Sequence, residues 1–419
     1  MSKSKKDKVL VFTDCYIYGG SERLMSFLMK NSLLDASFDL SLAFRNSFLY
    51  RKGMIDDYAS VNKSKLNPLC LLSNETLFHQ INCLSILSLF KIVLKFPFFI
   101  LEKLQIYSIW NLLVFFIFLR KSSPDIIHIN NGGYPAAKSC NLLVLANYLF
   151  GHAKIVYQVN NQASEATLVY KIVDAFVGKH TDVFITASHL AKNRLVDLHK
   201  FDENKIYVIN NCVMPAVISQ SKSEIETELK LSENSFVISH VAFLTKRKGQ
   251  ACLLKALFFL LEEHIDLRNK IVVVFVGNGE DEKILTELVD QYDLTKNVRF
   301  LGYRNNSQDY IAASDLFMLP SISNEDMPLV MLTALQLGKP IIASNFAGIA
   351  QAIQSEKNGV LVDLNTETFE RDLSNCIYRL YMDPDLRIKL AKAAYESFED
   401  YTPEKYGARL KKLYTNMLN

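Results

Sequence analysis

The stretch that most constrains the fold is residues 315–344. It predicts a short apolar strand at Leu316–Leu319, a breaker-rich loop, an apolar helix, and a second strand over residues 341–343. Gly338, Lys339 and Pro340 end the helix before that second strand. The order strand, loop, helix, strand indicates a βαβ unit, in which both strands lie parallel in one sheet.

The loop before this helix has the features of an anion site. Pro328 fits the first helical position, so the free amides of residues 329–331 are expected to point into the loop, where such an end binds anions. Glu325 would repel a phosphate there, but it could bond the hydroxyls of a neutral sugar beside one. The pattern therefore predicts a sugar attached to a diphosphate. The predicted donor contacts at this end are Met327, Pro328, Leu329 and Val330.

These residues resemble the GT-B glycosyltransferases of glycosyltransferase family 4. The family signature runs E-G-x-P, four residues, E-A, then G-x-P and a strand, and here it stands as residues 325–328, 333–334 and 338–340. The resemblance implies that Glu325 contacts the donor sugar. The second Glu, which meets the nucleotide ribose in the family, is replaced by Thr333, so the ribose contact stays open.

A second group of candidates for donor binding lies in the turns that follow the other predicted strands of the second half of the chain. Lys248 occupies a strand-to-helix turn, where a point cation suits a diphosphate; a solvated lysine run is the alternative. The family's Arg in G-R-L is replaced by Phe243, and Arg247 is the candidate to supply that charge. The resemblance also implies nucleotide-base contacts in the turns that follow. These candidates are Gly277, Gly279, Tyr303 and Arg304.

In the first half, Gly19 and Gly20 follow the first predicted strand, where they resemble the family's G-G-x-E-R loop that faces the donor diphosphate and the acceptor. An ordinary turn is the alternative. Loops at strand ends bind ligands in open α/β sheets. The acceptor or sugar-site candidates there are Asn131, Gly132, Asn160 and Asn161. Many family members have a His at the position of Asn160 and Asn161. Because Asn cannot move protons at neutral pH, a general base at this position is disfavoured.

Residues 81–119 are strongly apolar. Their longest uncharged part, residues 104–119, has 16 residues, fewer than the roughly 20 of a spanning helix. Two interpretations remain open: a pair of apolar helices lying on a bilayer with their lysines towards the head groups, or burial between the sheet and neighbouring helices. A true span ranks third.

Composition narrows the possible partners. A 419-residue chain that is 49% hydrophobic and 22% charged is long and apolar enough for two folded domains. A net charge of +3 argues against nucleic acid. Seven scattered cysteines without a CxxC pair fit a reducing cytoplasm and neither zinc nor disulfides. The Asp383-Pro384-Asp385 sequence reads as a helix cap, so no metal site and no cofactor are expected.

The alternation of strands and helices, together with the resemblance, predicts an α/β protein of GT-B fold: two doubly wound, Rossmann-like parallel-sheet domains facing each other across a cleft that holds the active site. Residues 1–216 would form the acceptor-binding domain, which includes the apolar segment 81–119. Residues 217–395 would form the nucleotide-sugar domain, and residues 396–419 a helix that crosses back to the first domain.

The predicted activity is that of a retaining, metal-independent glycosyltransferase. It would use a nucleotide diphosphate sugar, with UDP preferred, and a sugar or lipid-linked acceptor in surface polysaccharide assembly. Glu325 and Lys248 are the predicted catalytic residues. The expected location is the cytoplasm, with contact to the inner face of the membrane as the open question. Two alternatives are a non-catalytic GT-B subunit that binds a partner transferase and a nucleotide-sugar epimerase of the same fold.

Overall fold

The computed structural model describes residues 6–419, except Ile17, Ala166, Glu233, Asn365 and Thr366. The chain divides into two compact units. Unit 1 consists of the residues up to Asn210 together with Pro403–Asn419, and unit 2 is Asn211–Thr402. The chain therefore passes from unit 1 to unit 2 at residue 210, before the boundary predicted at residue 216, and returns at residue 402. Residues beyond 210 bond to unit 2: the Asn211 side chain donates to the Met327 carbonyl at 2.8 Å.

Unit 1 is built on a seven-stranded parallel sheet in the order β3-β2-β1-β4-β5-β6-β7. Its strands are β1 Lys8–Thr13, β2 Asp39–Arg45, β3 Leu66–Leu69, β4 Ile126–Asn131, β5 Lys154–Val159, β6 Val183–Thr186 and β7 Ile206–Val208. The strand order reverses between β1 and β4, so the ligand crevice expected of such sheets lies at the carboxyl ends of these two strands.

Nine helices of unit 1 precede unit 2 among the described residues. They are α1 Gly20–Lys30, α2 Ser32–Ser37, α3 Phe48–Met54, α4 Asn74–Asn82, α5 Ser88–Lys103, α6 Ile106–Ser122, α7 Lys138–Phe150, α8 Leu168–His180 and α9 His189–His199. Helix α6 buries Tyr107, Asn111, Phe115 and Leu119, which lie four residues apart on one face. The Phe115 ring meets Phe12 of β1 edge-on, with the ring centroids 5.3 Å apart.

Unit 2 holds a six-stranded parallel sheet in the order β10-β9-β8-β11-β12-β13. Its strands are β8 Phe236–Val241, β9 Ile271–Val276, β10 Val298–Phe300, β11 Leu316–Leu319, β12 Ile341–Ser344 and β13 Val360–Val362. Its helices are α10 Lys222–Glu228, α11 Gln250–Glu263, α12 Glu282–Gln291, α13 Ser307–Ala313, α14 Leu329–Gln336, α15 Ile349–Ala352, α16 Phe369–Met382 and α17 Pro384–Ser397. Strands β8, β9, β11 and β12 are buried throughout, as expected for a parallel sheet covered on both faces.

The last helix, α18 Pro403–Leu418, completes unit 1. The Asn31 side chain donates to the Pro403 carbonyl at 2.7 Å, and the Tyr406 hydroxyl donates to Gln158 Oε1 at 3.3 Å. His128 of β4 lies between Tyr414 Oη at 2.5 Å and Gln158 Oε1 at 2.9 Å. Burial lowers the pKa of His128 to about 4, so this contact is made by a neutral imidazole.

The prediction of two doubly wound parallel-sheet domains is confirmed. The predicted βαβ unit appears as β11, α14 and β12. Burial between the sheet and its neighbours, the alternative for residues 81–119, is wrong for α5, which has no buried residue, and holds only for one face of α6. Among the described residues, no single helix is both long and apolar enough to cross a membrane; α5 and α6 pass that test only as a pair bent by 63°.

Candidate functional site

The predicted catalytic pair, Lys248 and Glu325, meets at the point where the strand order of unit 2 reverses. Lys248 follows β8, and Glu325 follows β11, its neighbour in the sheet. The Lys248 ammonium donates to Glu325 Oε2, and the two residues are only 7% and 5% exposed. The fold thus brings together two ionised groups that lie far apart in the sequence, at the edge of the sheet where open α/β proteins bind ligands.

Two more side chains converge on the same carboxylate oxygen. Arg247 Nη1 lies 3.7 Å from Glu325 Oε2, and the Ser321 hydroxyl donates to this atom at 3.2 Å. Arg247 also donates to the Asn324 carbonyl at 3.1 Å and keeps about a third of its side chain exposed. Arg247, the candidate to supply the positive charge that the family's Arg has and Phe243 lacks, therefore lies beside Glu325.

Gly249 makes this approach possible. Its φ of +74° lies in the left-handed region, and a Cβ there would stand 1.8 Å from the Pro320 carbonyl oxygen. The Ile322 amide donates to the Arg247 carbonyl at 2.8 Å across the same gap. The loops after β8 and β11 are thus in backbone contact, which holds Lys248 against Glu325.

Gly277 and Gly279 have a structural use that is independent of any nucleotide. Gly277 has a φ of +143°, and Cβ atoms at the two positions would stand 1.9 Å from the Ala242 oxygen and 2.2 Å from the Leu244 oxygen. The Leu244 amide donates to the Asn278 carbonyl at 3.0 Å. These glycines let the loop after β9 pack on the loop after β8, and a base contact remains a prediction.

Tyr303 and Arg304 follow β10, at the sheet edge and two strands from β8. Tyr303 is exposed. Arg304 donates to the Tyr310 hydroxyl at 3.3 Å and lies 3.7 Å from Glu228, to which Tyr310 also donates. Arg304 is therefore engaged within unit 2, and the structure does not join these two residues to the Lys248–Glu325 pair.

The start of α14 differs slightly from the sequence prediction. Pro328 is the residue before the helix, with ψ of 133°, and not its first helical residue. The Met331 amide donates to the Pro328 carbonyl at 3.1 Å, so it does not point into the loop as expected. The amides of Leu329 and Val330 precede the first intrahelical bond and are the donors that this helix end offers. Met327 is buried, and its carbonyl accepts from Asn211.

Thr333 lies one turn further along α14. Its hydroxyl donates to the Leu329 carbonyl at 3.1 Å, and its side chain is half-buried. The Thr333 side chain is short and is bonded to its own helix, so it can make fewer hydrogen bonds to a ligand than the family's Glu would. Its partial exposure leaves space for a longer side chain at this position.

Substitution of Thr333 by Glu is expected to tighten UDP binding by about tenfold, or about 1.4 kcal/mol. A carboxylate at this position can accept charge-assisted bonds from ribose hydroxyls, which are stronger than neutral ones. Isothermal titration calorimetry measures the change. Thr286→Glu is the matched control, because Thr286 makes the same bond to a carbonyl four residues earlier, at 2.8 Å, on α12. Unchanged or weaker UDP affinity in Thr333→Glu would contradict the ribose assignment.

His240 of β8 is a residue that the sequence reasoning missed. It is fully buried, and its Nδ1 lies 2.9 Å from the Met318 carbonyl oxygen, while its Nε2 has no hydrogen-bond partner in the described part of the chain. Burial lowers the pKa of His240 to about 4; the bond to the Met318 carbonyl and the charge of Glu325 raise this pKa, and Lys248 lowers it. The imidazole is thus neutral beside the ion pair. A His inside an apolar strand was the available signal.

In unit 1, Gly19 and Gly20 stand at the start of α1. Glu22 caps the helix: it accepts from the Gly19 amide at 3.0 Å and from the Ser21 hydroxyl at 2.7 Å. It is buried, and burial raises the pKa of its carboxyl. A Cβ on Gly20 would meet nothing within 4 Å, so a ligand has room to approach the backbone there. Glu22 is part of the G-G-x-E-R motif but was given no role.

The asparagines at the ends of β4 and β5 are engaged with one another. Asn160 donates to Asn130 Oδ1 at 2.7 Å and to the Asn131 carbonyl at 2.9 Å, and accepts from Gln158. Asn131 donates to the Tyr157 hydroxyl at 2.8 Å. Both side chains are buried, so their arrangement here is structural.

The other two acceptor candidates are more open. Asn161 is half-buried, and a Cβ on Gly132 would meet nothing within 4 Å. Among the described residues, no group of three or more His, Cys, Asp or Glu side chains could hold a metal ion. All seven cysteines are free thiols.

Two family models match the chain. The model described as Glycosyl transferases group 1 matches residues 221–397, and the one described as Glycosyltransferase Family 4 matches residues 87–217. The chain is 30% identical over 325 residues, 74% of its length, to an Escherichia coli protein named UDP-Gal:alpha-D-GlcNAc-diphosphoundecaprenol alpha-1,3-galactosyltransferase, and the match covers 79% of that protein. The chain therefore belongs to the group 1 glycosyltransferases of the family 4 type.

The chain is also 25% identical over 241 residues to the N-acetyl-alpha-D-glucosaminyl L-malate synthase of Bacillus anthracis, covering 57% of this chain and 61% of that protein. Among solved structures, Anabaena Alr3699/HepE in complex with UDP has a TM-score of 0.75 at 16% identity, covering 98% of this chain and 100% of that one. A glycosyltransferase from Rickettsia africae has a TM-score of 0.76 at 16% identity, with 99% of each chain covered. These likenesses confirm the GT-B fold.

Proposed function

We propose that the chain is a retaining glycosyltransferase that transfers a sugar from a UDP-sugar to a sugar or lipid-linked acceptor in surface polysaccharide assembly. The observation that carries the proposal is the buried Lys248–Glu325 pair at the strand-order reversal of unit 2. The donor is supported by the UDP complex of the Anabaena structure, and the lipid-linked acceptor by the name of the E. coli relative. The free cysteines favour a cytoplasmic location.

The proposed chemistry places positive charge where negative charge develops. As the bond from the sugar to the diphosphate breaks, charge builds on the leaving phosphate oxygens. Lys248, the partly exposed Arg247 and the Leu329 and Val330 amides are the groups of unit 2 that can stabilise it. Glu325 would orient the donor sugar: the Lys248, Arg247 and Ser321 contacts all fall on Oε2, so none of the three uses Oε1.

Two observations support the retaining, metal-independent part of the proposal. Attack from the face of the leaving group lets the departing phosphate take the acceptor proton, so no strong protein base is required. Asn160 and Asn161 cannot serve as such a base at neutral pH. The cations beside Glu325 supply the charge stabilisation that we assign to the protein.

The proposal is tested by donor turnover. Purified protein is incubated with a panel of UDP-sugars and with polyprenyl-diphosphate-linked sugars, with and without EDTA, and the products are analysed by mass spectrometry and NMR. We expect an extended acceptor in which the donor's anomeric configuration is kept, at an unchanged rate in EDTA. An isomerised donor would establish the epimerase alternative, and absence of turnover with every donor would favour a non-catalytic subunit.

Glu325→Gln is expected to lower transfer at least a hundredfold, while UDP affinity stays within about threefold or becomes tighter. The glutamine amide keeps the size of the side chain but lacks the negative charge that we assign to binding the hydroxyls of the donor sugar. UDP lacks this donor sugar, so its affinity does not depend on that contact. Initial rates and UDP titrations measure the two effects. Glu356→Gln is the control, because Glu356 pairs with Arg379 elsewhere in unit 2. Undiminished turnover in Glu325→Gln would remove Glu325 from the reaction.

A further inference from the structure

Helix α5 has the reverse of the polarity expected of a surface helix. Its half-buried side chains include Lys91, Lys95 and Glu102, which fall within about 40° of one another at 100° per residue. All three contact the rest of unit 1. Lys91 Nζ donates to the Asn82 carbonyl at 2.7 Å, and Lys95 Nζ lies 5.4 Å from the Phe78 ring centroid. Glu102 Oε1 lies 3.2 Å from Lys138 Nζ. The charged face of α5 therefore points inward.

The outward face of α5 is apolar. Its exposed side chains include Leu89, Ile92, Val93, Phe96, Phe99 and Ile100. With Leu94 on the far side, exposed apolar residues cover roughly 220° of the helix circumference. A protein partner usually covers one face of a helix, whereas lipid surrounds it on every side that the protein leaves open.

Helix α6 continues this apolar surface. The face opposite its buried residues exposes Ile109, Trp110, Leu113 and Ile117. The most exposed charged residues of the two helices, both of which are fully described, are Lys103, Arg120 and Lys121, all cationic. The one anionic side chain, Glu102, is 37% exposed and is paired with Lys138. Positive groups beside an apolar surface are complementary to anionic head groups around acyl chains.

We propose that α5 and the outer face of α6 dock unit 1 on an anionic lipid bilayer, with α5 immersed among the acyl chains. This corrects the expectation that the lysines face the head groups, because Lys91 and Lys95 are turned inward. Apolar contact then supplies most of the affinity, and the three exposed cations add to it. The proposal concerns binding alone and stands whether or not the chain transfers a sugar.

Vesicle flotation tests the docking surface. Wild-type protein should float with vesicles of phosphatidylcholine and roughly one quarter phosphatidylglycerol, and should stay bound in about 1 M NaCl, where the Debye length is about 3 Å. Val93→Glu/Phe96→Glu should lose at least tenfold in affinity. The matched control is Ile265→Glu/Ile284→Glu, which alters two exposed apolar residues of unit 2 and should bind as wild type. Failure to float, or full release by salt, would overturn the proposal.

Trp110 reports the depth, because it is the chain's one tryptophan and its indole N–H is held by the Cys70 carbonyl at 2.9 Å. Its emission should shift to shorter wavelength with vesicles and be quenched by lipids brominated in the acyl chain. Unchanged emission would contradict immersion. If light scattering without vesicles shows a wild-type dimer, and Val93→Glu/Phe96→Glu is a monomer, the surface joins two copies of the chain and the bilayer proposal is wrong.

Discussion

Replacement of Lys248 by alanine is expected to lower the free energy of unfolding of unit 2 by about 3 kcal/mol and to reduce transfer at least a hundredfold. The variant leaves the buried Glu325 carboxylate without its nearest cation, and removing one partner of a buried pair costs about 3–5 kcal/mol. Arg247 and Ser321 still reach Oε2, so the lower end of that range applies. For a unit of this size the melting temperature should fall by roughly 6–12 °C.

A double-mutant cycle separates the ion pair from the packing of its side chains. Lys248→Ala/Glu325→Ala should be more stable than Lys248→Ala, because no buried charge is then left unpaired. Lys246→Ala is the matched control: Lys246 belongs to the same turn, is exposed, and should change neither stability nor activity. A Lys248→Ala melting temperature equal to that of Lys246→Ala would show that the pair does not form in solution.

Acidification from pH 6.5 to pH 5 is expected to lower the free energy of unfolding of each unit by about 2 kcal/mol through one buried histidine. His128 in unit 1 and His240 in unit 2 both have their pKa lowered to about 4 by burial, against 6.5 as the ordinary value. Below pH 6.5 each of these histidines binds a proton in the unfolded chain, whereas in the folded chain it stays neutral until the pH approaches 4. Stability is therefore fully present above pH 6.5 and is lost as the pH falls towards 4, at about 1.36 kcal/mol for each pH unit.

Urea unfolding at several pH values measures this effect. His240→Gln should flatten the pH dependence of unit 2, and His128→Gln that of unit 1, because neither amide titrates. His152→Gln is the control, since His152 is exposed. Equal slopes in wild type, His128→Gln and His240→Gln would contradict the assignment.

Much of unit 2 could be predicted because its strands are short apolar runs between breakers. The predicted bounds of β11 agree with the structure, and so does the start of α14 to within one residue. Lys248 and Glu325 could be paired in advance only through the family resemblance, since nothing local says that β8 and β11 are neighbours. The sheet order supplies that link.

Other features depend on tertiary contacts that a linear pattern does not contain. Asn131 and Asn160 looked like ligand groups at strand ends. Only the folded sheet shows that Asn160 bonds to Asn130 and to the Asn131 carbonyl, and that Asn131 bonds to Tyr157. Strand β3 was missed because Asn67 and Pro68 interrupt its apolar pattern. The inward turn of Lys91 and Lys95 depends on where α4 lies, which the apolar composition of residues 81–119 does not specify.

The return of α18 to unit 1 has a consequence for the order of synthesis. All of unit 2 is translated between the first part of unit 1 and Pro403, which takes roughly 10–40 s at about 5–20 residues per second. Until Tyr406 and Tyr414 emerge, Gln158 and His128 lack their α18 partners, and Asn31 lacks the Pro403 carbonyl. Synthesis thus completes unit 2 before it supplies the helix that completes unit 1, so a released chain truncated before residue 403 would contain all of unit 2 and an incomplete unit 1.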